Sequence, residues 1–120
     1  MKKISYKGRC EKRKVSKCKE ICRIYNKNQS AYVDMLENDD EAVSFECNVP
    51  IKGAADDLYS TDFVIQKVDG SVSVRECVRR FNLSKPSYAK LLDVSRHYWL
   101  SRGVTDWGIV VEKEEHDESQ

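Results

Sequence analysis

A chain of 120 residues, 40% apolar and 34% charged, has room for one domain with a real core and too little for two of ordinary size. No apolar run approaches the ~18 residues of a membrane-spanning helix and no secretory apolar segment is present, so the sequence reads as cytoplasmic, with no membrane contact. The net charge of +1 hides an asymmetry: residues 1–27 hold eleven Lys and Arg against Glu11 and Glu20, a local +9, which leaves about −8 for the rest.

The chain divides into a basic arm over 1–23, a domain over 24–112 and an acidic tail over 113–120. The arm suits a polyanion, because each lysine or arginine that meets a phosphate releases a condensed counterion. Lys12, Arg13, Lys14 and Lys17 are its candidate DNA contacts, joined by Arg79 and Arg80 from the domain; a solvated tail would carry the same composition. Five cysteines, Cys10, Cys18, Cys22, Cys47 and Cys77, are an odd number without an export signal and fit free thiols. Cys18 and Cys22, with Cys10 near them, could be zinc ligands. A lone C-x3-C has no second ligand pair, however, and His97 and His116 lie far along the chain.

In chain order, Ala31, Tyr32, Met35 and Leu36 recur at helical spacing after Asn28, a candidate N-cap. The run VSFECNVPI then alternates Val43, Phe45, Cys47 and Val49 and is expected to close at Pro50. LYSTDFVIQKV and SVSVRECV, joined through Asp69-Gly70, predict an antiparallel hairpin. Pro86 opens a helix whose Leu91, Leu92, Ser95, Tyr98, Trp99 and Arg102 follow at three- and four-residue steps until Gly103, and WGIVVE supplies a last strand. The order is α-β-β-β-α-β, an α/β domain with a mixed central sheet.

Alternation puts Glu76, Val78 and Arg80 on one face of the third strand, with Asp62 on the neighbouring strand. Two carboxylates brought together repel unless a cation lies between them. Mg2+, or Mn2+ in its place, takes one or two carboxylates and completes its shell with water and phosphate oxygens, which implies phosphodiester hydrolysis. The plainer alternative is that Asp62 caps a turn and Glu76 pairs with Arg79 or Arg80.

The segments MLENDDEAVSFECNVPI, YSTDFVI with its DG turn, and KLLDVSRHYWLSRGVTDWGIVVE resemble the TnsA-type endonuclease subunit of heteromeric transposases, within the restriction-endonuclease-like superfamily. The likeness covers about residues 24–112. It implies a restriction-endonuclease-like core and a subunit that nicks DNA at transposon ends beside a transposase catalytic subunit and an ATPase regulator. It also implies that Asp62 and Glu76 bind the metal and that a helix glutamate completes the site. That glutamate falls on Gln29, and the superfamily's lysine, two residues after the second ligand, falls on Val78. Lys90 is then the first candidate for the missing cation, ahead of Lys85 and Arg80. The alternative is a catalytically degenerate nuclease fold kept to bind DNA or a partner transposase.

Overall fold

A computed structural model describes residues 10–52 and 58–112 and the backbone of residues 2–3. The tail expected over 113–120 lies outside the described residues, as does most of the arm before Cys10. Among the described residues seven strands and two helices follow in the order β1 (Lys2–Lys3), β2 (Glu11–Arg13), β3 (Cys22–Ile24), α1 (Lys27–Glu37), β4 (Ala42–Lys52), β5 (Leu58–Lys67), β6 (Val72–Val78), α2 (Pro86–Ser101) and β7 (Asp106–Val111). A short 3-10 turn, Arg80–Asn82, joins β6 to α2.

The central sheet is mixed. β4, β5 and β6 pair antiparallel in succession, and β7 joins β6 in parallel after the α2 crossover. The α-β-β-β-α-β order expected from the sequence is therefore present, and a small hairpin, β2–β3, precedes it. One helix covers each face of the sheet. Val33 and Leu36 of α1 pack with Phe45, Phe63, Ile65 and Cys77, whereas Leu91, Val94, Tyr98 and Trp99 of α2 pack over Ile51 and Tyr59, with Trp99 reaching Val64 and Val74.

Residues 10–23 do not form a free arm. Cys18, Cys22 and Ile24 are buried in the α1 side of the core. Two of the arm's cations hold α1 in place: Arg13 donates to Asp34 at 2.7 Å and to Ser30, and the Lys17 ammonium donates to the Leu36 and Asp39 carbonyls at 2.9 and 2.7 Å. Lys17 thus adds a charged donor at the C-terminal end of α1, where the helix dipole favours a cation. Lys12 and Lys14 are exposed.

Helix α1 starts two residues earlier than its sequence suggests. Asn26, in extended conformation, is the N-cap and accepts from the Gln29 backbone N–H at 2.9 Å. The buried face carries Asn28, Gln29, Val33 and Leu36, while Ala31 and Met35 point to solvent. The apolar residues misplace the stripe because two amides, Asn28 and Gln29, occupy its first turn. Asn28 reaches the carbonyls of Val78 and Val110 and so ties α1 to the ends of β6 and β7.

The expected alternation along β4 fails twice, each time at a local irregularity. The ladder shifts between Ala42 and Ser44, which turns Val43 outward and Ala42 inward. At Asn48 the backbone takes φ 55°, and Val49 then packs with the α2-side cluster while Phe45 and Cys47 remain on the α1 side. Asparagine tolerates this left-handed conformation better than most residues with a Cβ. Pro50 does not end the strand: it pairs with Ser60 and β4 runs on to Lys52.

In the β5–β6 turn Gly70 has φ 88°, as the Asp69-Gly70 pair suggests. Gly103, φ 85°, ends α2. Trp99 is half-buried and its indole N–H donates to Thr61 Oγ1 at 2.9 Å, but Leu92 is absent from the clusters under α2, where Leu91 and Val94 pack instead. No helix among the described residues is long and apolar enough to cross a membrane.

Candidate functional site

The irregularity at Asn48 lies opposite Asp62. Pairing of β4 with β5 runs through Cys47↔Phe63 and Val49↔Thr61 and skips the pair between them. On the other side of β5, pairing with β6 stops at Phe63↔Arg75, and β1 takes up that edge at Tyr59 and Ser60. Asp62 thus stands where the sheet opens between β5 and β6. A residue at such a break has a backbone N–H and a side chain that can both serve something other than the ladder.

What they serve is Glu76. The Asp62 N–H donates to Glu76 Oε1 at 2.9 Å, and the Cys77 N–H donates to Asp62 Oδ2 at 2.7 Å, so each carboxylate fills the gap in the other's strand. Gln29 Nε2 donates to Asp62 Oδ1 at 2.7 Å from α1, while Ser95 Oγ donates to Glu76 Oε2 at 2.5 Å from α2. Two further bonds fix these donors. Gln29 Oε1 accepts from the Tyr25 N–H at 2.7 Å, and the Trp107 indole donates to Ser95 Oγ at 3.0 Å. The network reaches from one helix through the sheet to the other.

Three of the residues read from the sequence as a site, Gln29, Asp62 and Glu76, are therefore brought together, although 33 and 14 residues separate them along the chain. Lys90 is not brought in. It is exposed on α2, five residues before Ser95 and so roughly 140° around the helix from the face that meets Glu76. Arg80 follows the end of β6 and engages Glu112 through its backbone N–H and its guanidinium, at 2.8 and 3.0 Å. Val78, two residues after Glu76, is buried at 1% exposure. Ser95, Trp107 and the Cys77 N–H join the site without having stood out in the sequence. A serine inside the apolar stripe of α2 is the one sequence signal that could have marked Ser95, since a buried hydroxyl calls for a partner.

Asp62 and Glu76 are 1% and 0% exposed, and every buried side-chain polar atom among the described residues has a partner. Burial, and then the charge of Asp62, push the Glu76 carboxyl up to about 8. Two carboxylates and an amide oxygen are hard donors of the kind Mg2+ prefers. What stands against that ion is access: each carboxylate oxygen already has a hydrogen-bond partner in the protein, and neither side chain faces solvent where waters or a phosphate could complete an octahedral shell.

A different surface lies just beyond. Phe81, in the turn that follows β6, is 58% exposed, and the Arg79 guanidinium and Lys85 ammonium stand 5.1 and 5.0 Å from its ring centre. Arg79 also lies 3.9 Å from Glu112. An exposed aromatic flanked by two cations can stack on a base while the cations meet phosphates. Compared with known protein families and with curated proteins, the chain matches none.

Proposed function

We propose that this chain is a DNA-binding subunit with a TnsA-type nuclease fold, working beside a transposase catalytic subunit and an ATPase regulator, in which the carboxylate pair holds the fold together. The observation that carries the reading is the cation-flanked Phe81, exposed in the turn that follows β6, on the sheet where Gln29, Asp62 and Glu76 meet. The residue order and the mixed sheet suit the restriction-endonuclease-like core that the sequence resembles. The filled carboxylate oxygens and the buried Val78 favour binding over cutting.

A second reading, a Mg2+-dependent endonuclease that nicks transposon ends, is favoured by one feature. The proximity of Asp62 helps raise the Glu76 carboxyl to about 8, a repulsion that a divalent cation between the two would relieve. On that reading Lys85 or a residue of a partner subunit, and not Lys90, would supply the positive charge in place of the lysine.

The DNA contact is tested by binding to a duplex with a single-stranded overhang across a range of salt. Replacing Arg79 and Lys85 together by Ala should flatten the salt dependence by about 0.9 log unit for each lost duplex contact. Phe81→Ala should weaken binding by about 1–3 kcal/mol and leave the slope unchanged. Arg13→Ala, whose cation is engaged with Asp34, should not alter the slope. Equal slopes for the wild type and the Arg79/Lys85 variant would remove this edge as the DNA contact.

A further inference from the structure

Three of the five cysteines meet. Cys18 lies in the β2–β3 loop, Cys22 opens β3 and Cys47 sits in β4, and their sulfurs all lie within 4.8 Å of one another. The Cys22 and Cys47 sulfurs are 3.2 Å apart. Cys47 adds a third ligand to the C-x3-C pair, with the fourth position left for an exogenous ligand; it comes from a strand 25 residues further on, so spacing could not reveal it. We propose that Cys18, Cys22 and Cys47 form a binding site for one soft metal ion, Zn2+ foremost, which fastens the β2–β3 hairpin to the central sheet.

Geometry and chemistry both suit such an ion. With Zn–S bonds of about 2.3 Å, neighbouring sulfurs in a tetrahedral site stand ~3.8 Å apart, so the three sulfurs need only small adjustments around a centre. Thiolates select Zn2+ or Cu+ over hard ions such as Mg2+. The hairpin is already held at this point by hydrogen bonds to its carbonyls: the Phe45 N–H donates to that of Lys17 at 2.9 Å, and the Asn48 side-chain amide donates to that of Arg23 at 2.7 Å.

Cys77 is the internal comparison. It belongs to the same core and is as buried as Cys18, yet it is not part of the trio. A cysteine serving only as a small apolar side chain needs no such convergence. Cysteine ligates as the thiolate, so metal binding at neutral pH displaces protons and affinity should rise with pH.

The test uses the full chain, purified with a non-thiol reductant, and Co2+ as a spectroscopic probe. The expected result is a near-ultraviolet thiolate-to-cobalt band that saturates at one ion per chain, is displaced by one equivalent of Zn2+, and grows with pH. Cu+ is titrated in parallel, and displacement of Zn2+ by one equivalent of it would make Cu+ the preferred ion of the same site. Cys47→Ser should abolish the band, while Cys10→Ser and Cys77→Ser should keep it. Thiol counting on the wild type guards against a variant that misfolds: Zn2+ or Cu+ should shield three of the five thiols from an alkylating reagent. No thiolate band, together with thiol reactivities that are the same with and without added metal, would overturn the proposal, as would a Cys22–Cys47 disulfide that persists under the reductant.

Discussion

Asp62→Ala should destabilise the fold by about 2–5 kcal/mol in urea unfolding, with no metal present. The substitution takes the acceptor from two buried donors, Gln29 Nε2 and the Cys77 N–H, and each orphaned donor costs about 1–3 kcal/mol. Above about pH 8, where Glu76 is ionised, relief of its repulsion with Asp62 offsets part of that loss. Asp34→Ala is the comparison: its carboxylate is 64% exposed and pairs with Arg13, so its loss should fall within about 1 kcal/mol. The outcome separates the two readings. Where a carboxylate is kept to bind a metal, its removal in metal-free protein relieves repulsion and leaves stability level or higher. An Asp62→Ala protein as stable as the wild type would therefore contradict a structural role for the network.

The second large effect is a dependence on pH carried by Glu76. Burial and Asp62 raise its folded-state value from 4.5 to about 8, so between those limits the folded protein binds a proton that the unfolded chain has released. Stability must then fall as pH rises through this window and level off above it. The loss between pH 5 and 8 should amount to a few kcal/mol, because each tenfold difference in proton affinity between the folded and unfolded chain is worth about 1.4 kcal/mol. Glu76→Gln keeps an acceptor for the Asp62 N–H and cannot ionise, so its stability curve should be nearly flat over the same range. Burial also raises the core thiols, but these act only above about pH 9, where an ordinary thiol would have ionised, and leave the window clear. Parallel curves for the wild type and Glu76→Gln would show that another group carries the dependence.

The elements were legible in the sequence because their signals are local. Asp69-Gly70 names the hairpin turn, Gly103 the end of α2, and apolar periodicity the sheet and the crossover helix. The carboxylate pair was legible as well, since alternation in strands places Asp62 and Glu76 on neighbouring positions. What the sequence hid depends on the path of the chain in space. The buried face of α1 is hard to read because two of its members, the amides Asn28 and Gln29, look like solvent residues until their partners on β5, β6 and β7 are seen. The arm looks free because Lys and Arg are usually exposed, whereas Arg13 and Lys17 are spent on α1, and Cys18 and Cys22 face the core. Lys90 lies on the helix that follows strand three, and its phase around that helix turns it away from the carboxylates.

The central claim, that the Asp62–Glu76 pair is closed to metal and holds the fold, is tested most directly by titrating the full chain with Mn2+ and following the paramagnetic resonance of the free ion. The wild type and Glu76→Gln should give the same titration, with no ion held at the carboxylates. Thiolates discriminate against this hard ion, so the cysteine cluster does not interfere. One Mn2+ bound per wild-type chain, and lost in Glu76→Gln, would contradict the account and restore the pair to the role of a catalytic metal site.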